Sequence, residues 1–315
     1  MTDSNALAVG TRLGEYVIES MLGSGGFGIT YRALDTRLDT SVAIKEYFPA
    51  NLAYRVGSTV AVRPDGIVGG YDWGMEKFLH EASALARLQH PNIVGVRRLF
   101  KANLTAYMVL DYIEGPNLKD WRRNHHNKPD QGELDQILIP LLNALELVHR
   151  KGLLHRDIAP KNVMIASTLM PILIDFGAAR QLVAQHSQTF AALLTPGYAP
   201  FEQYVATSRN QGPWTDIYAL SASIYEIVTG NLPPEAPERA VDDKCIPISE
   251  LERGRYRAEF LSAIDYGLRP LPKDRPQSVA DWRKAFVGAP KPVRQPVPAA
   301  VPATGRWWSG REKKN

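Results

Sequence analysis

The chain has 315 residues, 44% hydrophobic and 22% charged, the balance of an ordinary globular protein long enough to bury a sizeable core. Its formal charge of +4 belongs to the tail: six basic residues and one acid follow residue 290, a net +5 that leaves −1 for the rest and argues against a nucleic-acid-binding core. Cys245 is the only cysteine, which excludes an internal disulfide or a cysteine zinc site and fits a reducing cytoplasm. No apolar run of transmembrane length occurs. Met1-Thr2-Asp3-Ser4-Asn5 has neither the basic start nor the apolar stretch of a secretory signal.

Residues 1–11 read as a flexible N-terminus. Residues 12–48 read as strands: Tyr16 and Ile18 alternate with Val17 and Glu19, then Ile29–Ala33 and Ser41–Lys45 follow. The stretch 49–72 is punctuated by proline and glycine. Within it Tyr54–Val56 and Thr59–Val62 suit a small hairpin across Gly57-Ser58. From Trp73 to Leu88, Met75, Phe78, Leu79, Ala82, Leu85 and Ala86 recur at helical spacing, and the pattern stops before His90-Pro91. Short strands fit Ile93–Phe100 and Thr105–Tyr112. After Gly115 the pattern turns helical. Leu134, Leu138, Leu141, Leu145 and Val148 form one stripe, in which Pro140 should kink the helix or mark its early turns. Further helices are predicted over Ile217–Thr229, Phe260–Tyr266 and Val279–Phe286. Strands first and helices after give an α+β chain of two lobes, 12–112 and 116–287, joined near Asp111–Gly115. Five prolines make 288–304 an extended linker. The basic tail 305–315 sets Trp307 and Trp308 beside cations. A disordered end is favoured there over contact with an anionic membrane surface or a partner.

Gly23-Ser24-Gly25-Gly26-Phe27-Gly28 lets backbone N–H groups approach phosphate oxygens. Alone it is weak, because dinucleotide-binding folds use the same spacing, but there a helix follows at once. Here a strand follows, then Val42-Ala43-Ile44-Lys45. Two aspartates stand further on, in His155-Arg156-Asp157-Ile158-Ala159-Pro160-Lys161-Asn162 and in Asp175-Phe176-Gly177 at the end of an apolar strand, Pro171–Ile174. A turn is the ordinary reading of Asp-Phe-Gly; its coupling to Asn162 speaks against that.

In this order the motifs resemble the protein-kinase signature set. The likeness covers residues 12–287, and Thr195-Pro196-Gly197-Tyr198-Ala199-Pro200…Glu202-Gln203 brings it nearest to eukaryotic-like (Hanks-type) bacterial serine/threonine kinases. It implies a β-rich N-lobe and a helical C-lobe, with ATP and Mg²⁺ (or Mn²⁺) between them, and transfer of the γ-phosphoryl group to protein hydroxyls, its own included. The nucleotide would meet Leu22, Gly23, Gly25, Gly26, Gly28, Thr30, Ala43 and Lys45 from above. Leu110, Asp111 and Ile113 would meet its adenine. Lys45 would hold the α/β-phosphates with Glu81 (or Glu76) as partner. Asp157 would orient the acceptor as catalytic base, Asn162 and Asp175 would hold the metal, and His155 would be a packed, structural imidazole. Thr195 would help fix the acceptor site. Arg156 would face a phosphate on the activation segment, with Ser187 and Thr189 as candidate phosphorylation sites; ordinary loop hydroxyls are an equal reading. Glu202 would pair with Arg275, and Asp216 would anchor the catalytic loop.

Two departures stand out. Thr30 replaces a usual valine over the adenine. Ala159 replaces the usual lysine, and Lys161 is read as the replacement charge on the γ-phosphate. Tyrosine kinases carry a cation at that second offset, so tyrosine or dual specificity stays open, as do a pseudokinase scaffold and a small-molecule kinase.

Overall fold

The computed structural model describes residues 5–64, 69–125, 127–177, 194–204 and 210–287. Its first half is an antiparallel sheet in the order β1-β2-β3-β4-β8-β7. The strands are β1 (Arg12–Leu13), β2 (Tyr16–Gly25), β3 (Gly28–Asp35), β4 (Thr40–Tyr47), β7 (Val96–Ala102) and β8 (Thr105–Asp111). Alternation drives them. Val42, Ile44 and Glu46 of β4 are fully buried on one face, while Ala43 and Lys45 point to the other. The expected hairpin exists as β5 (Ala53–Val56) and β6 (Thr59–Val62), turning at Gly57 with φ 59°. Helix α1 (Gly70–Leu85) begins three residues before the expected Trp73 and packs Tyr71, Phe78, Ala82 and Leu85 inward.

Within the stretch read as a flexible N-terminus, residues 5–7 and Gly10 make contacts with the sheet, while Ala8 and Val9 are exposed. Leu7 is buried, its N–H donates to the Tyr31 hydroxyl at 3.1 Å, and Gly10 N–H donates to Ile18 O at 2.8 Å. The short apolar run at 6–9 has neither helical nor strand periodicity, so the sequence carried no sign that Leu7 is buried while Val9 is not.

The second half is helical. Helix α2 (Leu118–Asn124), which periodicity missed because it is only two turns long, starts at Asn117, whose side chain accepts from Asp120 N–H. Helix α3 (Gln131–Arg150) opens with a capping box between Asp130 and Glu133 and continues past Pro140 as one helix. A hairpin of β9 (Val163–Ala166) and β10 (Met170–Leu173) follows the 155–162 run. Then come α4 (Phe201–Tyr204), α5 (Pro213–Thr229), α6 (Ala236–Val241), α7 (Ile248–Leu251), α8 (Ala258–Gly267) and α9 (Val279–Val287). Helix α5 is buried on every side from Thr215 to Tyr225 and stops at Gly230, whose φ of 81° suits glycine. Among the described residues, no helix is long and apolar enough to cross a membrane.

One buried ion pair joins α4 to the loop before α9. Arg275 donates to both carboxylate oxygens of Glu202, at 2.8 and 3.2 Å, and Thr215 Oγ1 donates to Glu202 Oε1 at 2.9 Å. Both charged side chains are essentially inaccessible. Arg275→Met strands the carboxylate in the interior, with an expected loss of about 3–5 kcal/mol in urea unfolding. A loss near zero would show that the pair holds nothing together.

Candidate active site

The lobes enclose a cleft of about 510 Å³, within the range of ligand pockets. Its roof is the hairpin of β2 and β3, and a side chain at Gly28 would put its Cβ 2.5 Å from Glu46 O, so the third glycine is required by the neighbouring strand. Leu22, Gly23, Gly25, Thr30, Ala43, Lys45, Glu81, Leu110, Asp111 and Ile113 all line the cleft, as expected from the sequence. Gly26 does not: it sits at the hairpin tip, where its carbonyl accepts from Ala50 N–H at 3.3 Å. Met164, Val94, Asn117 and Asp120 also line the cleft and were not foreseen, since their own segments carry no phosphate-binding signature.

The floor is built around Asp157. Its Oδ1 accepts from Thr195 Oγ1 at 3.0 Å, and its Oδ2 accepts from Asn162 Nδ2 at 2.9 Å. Asn162 Nδ2 also donates to Asp157 O at 2.8 Å, which leaves the amide oxygen as the atom able to meet a cation. Asp175 stands at the end of β10, in the left-handed region with φ 56°, and receives Lys45 Nζ at 2.8 Å. Gly177 must be glycine here, because a Cβ would lie 2.8 Å from Asp157 Cβ. The sequence reading expected Glu81 as the partner of Lys45, and Lys45 also pairs across the cleft with Asp175. Glu81 lines the same cleft, and its charge supports Arg156. Burial pulls the Arg156 guanidinium down, with Asp216 and Glu81 opposing.

The loop itself hangs from α5. Asp216, fully buried, accepts from His155 N–H at 2.9 Å, Arg156 N–H at 2.8 Å and His149 Nε2 at 2.8 Å. Burial works to raise its carboxyl, but these bonds outweigh it and hold Asp216 below the usual carboxylate range. Arg156 has φ 66°, an uncommon conformation for a long side chain, worth about 1–3 kcal/mol of strain. It is held from both sides, because Gln203 Nε2 donates to Arg156 O at 2.8 Å. His155 packs on Phe176 at 4.4 Å, donates through Nε2 to Ile174 O and accepts Asp157 N–H at Nδ1. Lys161 is exposed on the 3-10 turn Pro160–Asn162 and lines the cleft, whereas Ala159 is buried. Ser187, Thr189 and the 305–315 tail lie outside the described residues.

Oxygen donors from one carboxylate and one amide suit Mg²⁺, which takes one or two carboxylates together with substrate phosphates. Among the described residues no cluster of three or more His, Cys, Asp or Glu would hold a metal unaided.

A family model described as "Protein kinase domain" matches residues 16–253. Serine/threonine-protein kinase PknK of Mycobacterium tuberculosis is 31% identical over 271 residues, covering 82% of this chain and 22% of that protein. PknB of Mycobacterium leprae is 29% identical over 284 residues, covering 86% of this chain and 42% of that protein. The chain thus spans about a fifth to two fifths of these relatives' length. Among solved structures, "PpkA-294 apo form" superposes with a TM-score of 0.82 at 37% identity, covering 90% of this chain and all of that one. A point mutant of the PknI kinase domain of Mycobacterium tuberculosis gives 0.66 at 23% identity over 90% and 98%, a likeness of fold alone.

Burial pulls the His155 imidazole below its ordinary value. The unfolded chain therefore binds the extra proton first, so the contribution of His155 is whole above about pH 6.5 and is lost as pH falls further. Urea unfolding of the protein between pH 7.5 and 5.5 should fall more steeply than that of His155→Asn. Parallel curves would mean that the imidazole is not held neutral.

Proposed function

The chain belongs to the protein kinase family, and from that premise and the geometry of its cleft we propose an ATP- and Mg²⁺-dependent protein kinase acting on serine and threonine hydroxyls. The domain runs over 12–287, with lobes 12–112 and 116–287, and its substrates are proteins, including itself. One observation carries this reading: Asp157 offers one carboxylate oxygen to a hydroxyl, that of Thr195, while the other is tied to Asn162 beside Asp175. A serine or threonine oxygen brought alongside Thr195 meets the same carboxylate. The curated relatives' names, serine/threonine-protein kinases, point the same way.

Each residue has a task that follows from its place. Asp157 takes the proton of the acceptor hydroxyl and orients its oxygen for in-line attack. Asn162 and Asp175 would hold Mg²⁺, which when bound neutralises charge on the transferring phosphoryl group. Lys45, already extended toward Asp175, would turn to the α/β-phosphates. Leu110, Asp111 and Ile113 bring the backbone joining the lobes to the adenine. Lys161 stands at the cleft mouth, where its ammonium would steady the γ-phosphate in place of the lysine that the buried Ala159 cannot supply. The arrangement works by positioning and charge neutralisation. A reducing cytoplasm is the proposed setting.

The purified protein with Mg·ATP should label itself and a protein acceptor on serine and threonine, as mapped by mass spectrometry. Asp157→Ala should cut turnover by about 10²–10⁴-fold with ATP affinity kept. Lys161→Ala should lower kcat far more than it weakens ATP binding. Phosphotyrosine alone, or labelling that persists in Asp157→Ala, would overturn the reading.

A further inference from the structure

Glu46 follows Lys45 on β4 and so faces the opposite side of the sheet, where it is wholly buried. Its cross-strand neighbours are Ile29 and Tyr107. A carboxylate in such a core stands only if it is paired and hydrogen-bonded. Here it is saturated. The hydroxyls of Tyr31 and Tyr107 each donate to it at 2.8 Å, and Arg55 Nη1 donates to Oε1 at 2.9 Å while Nη2 takes Oε2. The Arg55 side chain is itself buried and belongs to β5, inside the proline- and glycine-punctuated stretch 49–72. Its Nε donates to Asn5 O at 2.6 Å, its guanidinium lies over the Phe48 ring at 5.0 Å, and Leu7 N–H reaches the Tyr31 hydroxyl. The β5–β6 hairpin and β4 therefore meet on one carboxylate, and the N-terminal segment joins through its partners Arg55 and Tyr31.

The residues on either side of Glu46 face the reaction. Lys45 lines the cleft. Tyr47 packs on Tyr71 and Phe78 of α1, with ring centroids 5.2 and 5.7 Å apart, and its hydroxyl donates to Tyr71 O. Three successive residues thus serve the nucleotide, the anchor, and the helix that carries Glu81. A buried ion pair is a poor source of net stability compared with apolar packing. What a forked guanidinium supplies is direction, since two parallel bonds fix both the register and the tilt of the strand end.

We infer that Arg55 and Glu46 are positioning residues for the phosphoryl-transfer site: their ion pair fixes the end of β4, and with it the reach of Lys45 and the seat of α1. The hairpin of β5 and β6 is then a working part of nucleotide binding. This rests on the assignment of Lys45 to the ATP phosphates.

The test compares wild type, Arg55→Met, Arg55→Lys and the neutral pair Glu46→Gln/Arg55→Met. Thermal unfolding is followed alongside affinity for a fluorescent Mg·ATP analogue, measured well below each transition. Arg55→Met should melt lower and bind the nucleotide on the order of tenfold more weakly. Arg55→Lys, with charge but no fork, should fall between. The neutral pair leaves no bare carboxylate, so it should regain most of the melting temperature while affinity stays several-fold down. Full recovery of affinity in the neutral pair, or affinity that merely tracks melting temperature across the set, overturns the inference. A wild type that binds no Mg·ATP overturns instead the kinase reading beneath it.

Discussion

One carboxylate without access to solvent governs the shape of the floor of the cleft. Asp216 projects from a helix surrounded by protein and draws the N–H groups of His155 and Arg156 onto itself. Those two bonds hold Arg156 in a backbone conformation it would not choose, and the next residue is Asp157. An apolar side chain at 216 would leave two buried donors without partners and release the bend. The Asp157 carboxylate, to which the proposed function brings the acceptor, is thus aimed by another acidic group, Asp216. His149, on the preceding helix, shares Asp216 and ties α3 into the same knot.

Close approach is the second constraint. Asp157, Gly177 and Thr195 come from three separate segments, and the absence of a Cβ at 177 is what lets the first two touch. Gln203 reaches from α4 back to the Arg156 carbonyl, and its neighbour Glu202 is clamped by Arg275. The Asp157–Thr195 side of the cleft is therefore tied to the interior of the C-lobe, while the side lined by Gly23, Thr30 and Lys45 is tied to the sheet.

Much of this was legible in the sequence because the chemistry is local there. The runs 155–162 and 175–177 each keep their working atoms within a few residues, and β4 and α5 carry strong hydrophobic signals. Asp216, Glu202, Arg275 and Thr195 were recognisable through resemblance, and the structure gives each the neighbour that resemblance implied. What escaped was long-range or short-lived in sequence. A two-turn helix such as α2 has too few residues for a period, and Gly26 reads like any glycine of its loop. The contact of Lys45 with Asp175 joins residues 130 apart in the chain, which no local pattern signals. The burial of Glu46 could not be read either, because an acid at an alternating strand position signals solvent until its arginine, nine residues away across a turn-rich stretch, is in view.

The contact between Lys45 and Asp175 links the two lobes through a single pair of side chains that are 130 residues apart in the chain. A compound that mimics adenine alone and stops short of this pair can occupy the back of the cleft and leave the bridge closed. On the proposed reading, a triphosphate would open it, replacing the contact between Lys45 and Asp175 with contacts to phosphate and metal. The two kinds of occupant therefore report on different things: the first on the shape of the inter-lobe connection, the second on how readily an internal strut lets go.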